Sequence, residues 1–191
     1  MKAKIVIWLL CAGFLVTAVF GARQWVRGQR AQAEARALDQ IGQWSPIAQS
    51  TARLMLAQHG PPQEMSLFEL RWYGAWPWKS ILVRDEPQAP LEQAIDFHVP
   101  SDKVDAMKSF RHGPLVYPDE NELVARSDRE GLNLLSLNLA HDIASGKKSP
   151  EDADTFFIRA VQLAAAGKSS PYMDRLLFDV PAVSAPFNPY P

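Results

Sequence analysis

The chain has 191 residues, of which 21% are charged, with a formal net charge of −1. Once a hydrophobic start is set aside, that length holds one domain with its own core. The near-neutral balance provides no field to gather a phosphate backbone, so no nucleic-acid partner is expected. The single cysteine, Cys11, lies inside the hydrophobic start, which leaves the rest without disulfide, thiol nucleophile or cysteine-ligated metal.

Lys2 and Lys4 precede an uncharged run from Ile5 to Ala22. Eighteen helical residues rise about 27 Å, close to the ~30 Å hydrocarbon core, with Trp25 and the long side chains of Arg23 and Arg27 placed for the interface. Residues 1–22 are therefore expected to anchor the protein in a membrane. Val19-Phe20-Gly21 is a poor small-x-small cleavage site, which favours an uncleaved signal-anchor over a removed signal peptide. Arg23, Arg27, Arg30 and Arg36 outnumber the two lysines, and basic-residue counting alone places the domain in the cytoplasm. The short basic start followed by an apolar run argues for export, and that is the orientation expected here. Residues 23–44 read as a polar helical stalk with a thin apolar stripe of Val26, Ala33, Ala37 and Ile41. Deleting residues 1–43 is then expected to release a folded domain.

The domain, residues 45–180, alternates helix and strand signals of an α+β fold, a small antiparallel sheet packed on helices. Ser45-Pro46 opens a helix that His59-Gly60 and Pro61-Pro62 close. Leu67 to Tyr73 alternates with period two, Gly74-Ala75-Trp76-Pro77 turns the chain, and Trp78 to Arg84 returns as the antiparallel partner. Leu91 to Val99 is a third strand, and Val104, Met107 and Phe110 fit a short helix. Leu115–Tyr117 and Glu122–Arg126 are strands around the Pro118–Asn121 turn. Ser127 and Glu130 have capping-box spacing at the head of a helix that Gly146 ends. Leu132, Leu134, Leu135, Leu137, Leu139 and Ile143 give that helix two greasy arcs, which places it at the centre of the core. Ser149-Pro150-Glu151-Asp152 caps the last long helix, ended by Gly167. From Pro181 to Pro191 the proline-rich tail forms no core of its own.

Few residues form a pattern that points to chemistry. Asn138, His141 and Asp142 share one sector of the central helix. A histidine oriented by a carboxylate acts as acid or base, but adjacent helical residues diverge by about 100°, so Asp142 is poorly placed to orient His141. The expected role is a buried polar network bonded to the backbone of neighbouring loops, with the Pro61–Glu64 turn as one place. Trp72, Trp76 and Trp78 crowd one hairpin with Lys79, Arg84 and Asp85. They either pin the hairpin to the core or form a binding surface that stacks on sugar rings or a partner's side chains. No phosphate loop, nucleophile elbow, metal-ligand spacing or paired-carboxylate motif occurs, and no cofactor or metal is expected.

Two stretches resemble a bacterial family of small exported or membrane-anchored proteins to which no activity is assigned. One is His59-Gly60-Pro61-Pro62-Gln63-Glu64 with Trp76-Pro77-Trp78-Lys79 and Arg84-Asp85-Glu86, similar to the family's Y-G-P-P-D-E, G-P-W-K and Y-R-D-E. The other is Asn138-Leu139-Ala140-His141-Asp142-Ile143 with Gly146-Lys147-Lys148, similar to its N-L-A-H-D-I-V-T-G-K-K. His59 and Trp76 depart from the family tyrosine and glycine. The resemblance supports the limits of the domain, and with the hydrophobic start a single-pass protein of the bacterial inner membrane with a periplasmic domain is expected. The sequence leans away from an enzyme. The leading expectation is a protein-binding domain, or accessory subunit of an envelope complex, anchored through residues 5–22. A glycan- or ligand-binding module using the tryptophan hairpin is the alternative, and an enzyme using His141 comes third.

Overall fold

A computed structural model describes residues 24–181 of the chain. The expected membrane span and most of the proline-rich tail lie outside these residues. No helix among the described residues is long and apolar enough to cross a membrane. The fold is α+β.

Residues 24–41 are helical (α1), followed by α2 (Pro46–His59), β1 (Glu64–Met65), β2 (Glu69–Tyr73), β3 (Ser80–Arg84) and β4 (Leu91–Asp96). A 3-10 turn leads into α3 (Val104–Ser109), then β5 (Leu115–Tyr117), β6 (Glu122–Ser127), α4 (Glu130–Ala144), α5 (Pro150–Ala165) and the single turn α6 (Pro171–Asp174). The strands form one antiparallel sheet in the order β1-β2-β3-β4-β6-β5. Period-two alternation sorts its faces. Leu70, Trp72, Ile81, Val83, Leu91, Ile95, Leu123 and Ala125 point into the core beneath the helices.

The opposite face carries a lattice of charge around the buried Leu82, Ala94 and Val124. Glu69 stands opposite Arg84 in the β2–β3 register. The Arg84 guanidinium bridges Glu69 at 2.9 Å and Glu92 at 2.8 Å. Lys79 bridges Asp96 and Glu122, and Arg126 pairs with Glu86.

Helix α4 is buried on nearly every side, with Asn133 to Ala140 all inaccessible. It packs on β4 and β6 below and on α3, α5 and α6 around it. Leu134, Leu135, Leu137, Leu139 and Ile143 are its large buried apolar side chains, each contributing about 1.5–3 kcal/mol before entropy; Leu132, expected with them, is only half-buried. The signals at both ends of α5 behave as anticipated. Ser149 Oγ accepts from the Asp152 amide, and Gly167 supplies the left-handed residue at φ 77°. The start of α4 differs. Ser127 is the last residue of β6, and its hydroxyl closes a tight turn by accepting from the Arg129 amide and donating to the Arg129 carbonyl. Arg129 is the cap residue, and no side chain caps the helix. The strand's register with β4 holds Ser127 opposite Leu91, which overrides the local capping preference.

The boundary expected at residue 44 falls inside the packed unit. Residues 24–36 of α1 stand largely in solvent, whereas Ala37, Ile41 and Trp44 are buried in the main core. The apolar stripe of the stalk belongs at its lower end to the domain. Gln40 Nε2 and Trp44 Nε1 both donate to the Leu67 carbonyl, at 2.7 and 2.9 Å. A fragment beginning at residue 45 should therefore melt far below one beginning at residue 24. Loss of Ile41 alone should cost about 2–5 kcal/mol, and equal melting temperatures for the two fragments would show α1 to be a free stalk.

Candidate functional site

The three polar residues of α4 singled out above form no hydrogen bond or ion pair with one another, although the Asp142 charge acts on His141 against the larger effect of burial. Asn138, only 1% exposed, donates to the carbonyls of Tyr172 and Arg175 at 3.0 and 2.8 Å and accepts from the Leu177 amide at 2.7 Å. It holds an irregular segment, residues 172–177, across the back of the helix. Its partners are backbone groups, as anticipated, but they belong to the C-terminal segment instead of the Pro61–Glu64 turn. Asp142 accepts from the Tyr172 hydroxyl at 2.7 Å and sits near the ammonium groups of Lys147 and Lys148. Burial, and then the Asp142 carboxylate, push the Tyr172 phenol up to about 12. His141 stacks on Phe178 at 4.4 Å and meets the edge of Phe97. This corrects the expectation that it bonds to backbone, because its neighbours are rings. Burial, and then the Lys147 charge, hold its pKa below the ordinary histidine value. All three residues thus attach the same C-terminal segment to α4.

The tryptophan hairpin divides into two kinds of residue. Trp72 and Trp78 are 1% and 2% exposed, and each indole N–H finds a fixed partner. Trp72 Nε1 donates to the Gly60 carbonyl at 2.9 Å, and Trp78 Nε1 to Glu130 Oε1 at 3.0 Å. Glu130 Oε1 also accepts from Gln93 Nε2 at 2.9 Å, while Gln93 Oε1 accepts from Asn133 Nδ2 at 2.9 Å. This chain of polar groups crosses from β4 to the head of α4. Trp76, between the two anchors, is 69% exposed. The turn that presents it contains a cis Trp76–Pro77 bond.

Lys79, Arg84 and Asp85 do not join Trp76 in a surface. Lys79 and Arg84 lie on the outer face of the sheet within the ion-pair lattice. Hydrogen bonding to Glu122 leads the causes that raise the Lys79 pKa. Asp85 Oδ1 accepts from the Ser45 amide at 2.7 Å, satisfying a donor at the head of α2.

A pocket of about 400 Å3 opens beside the tryptophan turn. Trp76, Pro77 and Trp78 form one wall, Glu130 and Leu134 at the head of α4 form another, and residues 174–180 form the third. Phe178 and Asp179 also line a second hollow of about 430 Å3, which has His98 and His141 on its walls. The segment that Asn138 clamps lines the first pocket, and its continuation, Phe178 and Asp179, is shared by both. Replacing Asn138 by alanine orphans two carbonyls and an amide, so Asn138→Ala should cost about 3 kcal/mol in chemical denaturation. A loss below about 0.5 kcal/mol would mean that the segment is held by its apolar contacts alone.

A second carboxylate–imidazole pair has no signal in the sequence, its members lying 42 residues apart. Asp154 on α5 accepts from His112 Nδ1 at 2.7 Å, the His112 amide at 3.3 Å and Arg111 Nε at 3.1 Å. The His112 ring stacks on Phe157 at 4.5 Å, and the His112 carbonyl accepts from Ser136 Oγ. This pair locks the loop after α3 between α4 and α5. Burial alone would raise the Asp154 carboxyl, but the hydrogen bonds from His112 and Arg111 outweigh it and lower the pKa. A depressed folded-state pKa adds stability above the ordinary carboxylate value, near 4, and that stability disappears as pH falls through the lower folded value. Asp154→Asn should cost about 2 kcal/mol at neutral pH, and its melting temperature should fall less steeply in acid than that of the parent. Parallel curves would remove Asp154 from the acid transition.

Among the described residues, no group of three or more His, Cys, Asp or Glu side chains is placed to hold a metal ion. In comparisons with known proteins, the chain matches no family model, no curated sequence and no solved structure.

Proposed function

We propose that this is a membrane-tethered, non-enzymatic binding domain that engages a partner protein through the pocket beside Trp76, as an accessory subunit of an envelope complex. The observation that carries this reading is the division of the hairpin. A large indole stands in solvent at the lip of a pocket, on a turn whose neighbouring indoles are buried and hydrogen-bonded. Rigid exposed aromatics beside a preformed hollow are what binding hot spots require, since little side-chain freedom is lost on contact. Helix α1 supports the tether. Its exposed part, residues 24–36, extends about 20 Å away from the core, enough to hold the domain clear of a bilayer surface.

Two variants separate packing from recognition. Trp78→Ala empties a buried site and breaks the bond to Glu130, so it should destabilise by about 3–5 kcal/mol. Trp76→Ala should melt within about 0.5 kcal/mol of the parent yet lose the stoichiometric protein that co-purifies from gently solubilised membranes. Retention of that protein by Trp76→Ala would remove the pocket from the interface. A glycan displaced in its place would favour a sugar ring stacked on the indole.

A further inference from the structure

The pocket's charge is unlike that of the sheet's outer face. On the outer face each cation lies within reach of a carboxylate: Arg71 and Arg84 at Glu69, Lys79 at Asp96 and Glu122, Arg126 at Glu86. Around the pocket, three carboxylates, Glu130, Asp174 and Asp179, face one guanidinium, Arg175. No ion pair or hydrogen bond joins the side chains of Asp174, Arg175 or Asp179 to any described residue. Glu130 is held by one oxygen only. Oε1 accepts from Trp78 and Gln93, while Oε2 makes no hydrogen bond among the described residues and is not a buried orphan. Trp76, Trp78 and Phe178 line the same pocket as these acids.

We infer that the pocket takes a basic side chain, lysine or arginine, from the partner protein. The inference rests on the binding reading above and names the chemistry of the contact. An organic cation is attracted to the face of an indole within about 6 Å of its centroid. The aliphatic stem of such a side chain is apolar and can lie against Leu134 and Leu176 while its head stays near the carboxylates. An anionic side chain would meet three like charges to reach the same place, and a neutral apolar one would gain nothing from them. The glutamate anchored by Trp78 is the fixed member of the acid set. Asp174 and Asp179 lie on the segment whose backbone Asn138 clamps between them, at Arg175 and Leu177.

The test uses the full-length protein in lipid nanodiscs, labelled with 5-fluorotryptophan, with the Trp76 fluorine signal assigned from Trp76→Phe. The probes are the N-acetyl N-methylamides of lysine and arginine, with that of norleucine as the neutral isostere. The lysine and arginine probes should shift the Trp76 signal saturably and bind about tenfold more tightly than norleucine. High salt should narrow that preference, and Asp174→Asn combined with Asp179→Asn should reduce it while leaving norleucine binding unchanged. Equal affinity for all three probes, or no shift with any, would overturn the cation reading. Failure of the broader binding reading is distinguished by the co-purification result, because it requires Trp76→Ala to keep its partner whatever the probes do.

Discussion

A helix buried on nearly every side must place its buried polar side chains against neighbours, and this constraint on α4 organises the molecule. Asn133 reaches the sheet through Gln93 and the Leu91 carbonyl. Ser136 donates to the His112 carbonyl in the loop after α3. Asn138 clamps residues 172–177, and Asp142 accepts from Tyr172. An unmet buried polar group costs about 1–3 kcal/mol, so each side chain both demands a partner and fixes where that partner sits. Hydrophobic burial holds the helix in place. The polar set decides which loop lies over which part of it.

The pocket follows from that arrangement. Its far wall is an irregular segment with one turn of helix and no strand, which the sheet cannot position. Asn138 positions it by bonding to backbone, leaving the side chains of Asp174, Arg175 and Phe178 to line the hollow. The near wall is set by Glu130, which ties Trp78 and Gln93 to one oxygen. Its negative charge also acts on His59, whose pKa burial lowers and Glu130 partly restores. Trp76 is left as the one indole of its hairpin without a hydrogen-bonded partner among the described residues, on a turn flanked by the anchored Trp72 and Trp78. Pre-organisation of this kind reduces the ordering cost of association.

Much of the fold was legible because its signals are local. Prolines and glycines mark the ends of α2 and α5, and strict alternation marks β2. The capping-box reading at Ser127 failed because strand pairing, a tertiary effect, claimed that residue first. The segment after Gly167 carried no periodicity, so its role as a pocket wall was hidden, although Tyr172, Leu176 and Phe178 pack on the core. Asn138 was legible as a buried polar residue on a greasy helix; its partners, more than thirty residues away, were not. Alternation along β2 puts Trp72 on the buried face, but Trp76 and Trp78 looked alike because the irregular turn between β2 and β3 breaks the pattern that sorts faces. Only the turn's geometry separates Trp76 from Trp78. His112 and Asp154 belong to different elements with no shared pattern, and no reading of either alone joins them.

The outer face of the sheet and the pocket beside the tryptophan turn put charge to different uses. On the outer face, long side chains close into pairs across neighbouring strands and cover Leu82 and Ala94 with their stems. Exposed pairs of this kind add little stability, because water screens them and ordering both side chains costs entropy. They keep that face wetted and satisfied, and a partner would have to break them to bind there. The pocket has the converse arrangement. Its carboxylates, Glu130 half-buried and Asp174 and Asp179 exposed, share a hollow with aromatic rings and are not closed into ion pairs among the described residues. Charge that is already paired resists a partner, and charge left unpaired beside rings attracts one. Arg84 and Lys79, conspicuous in the sequence, belong to the first kind. Glu130, Asp174 and Asp179, which no motif marks, belong to the second.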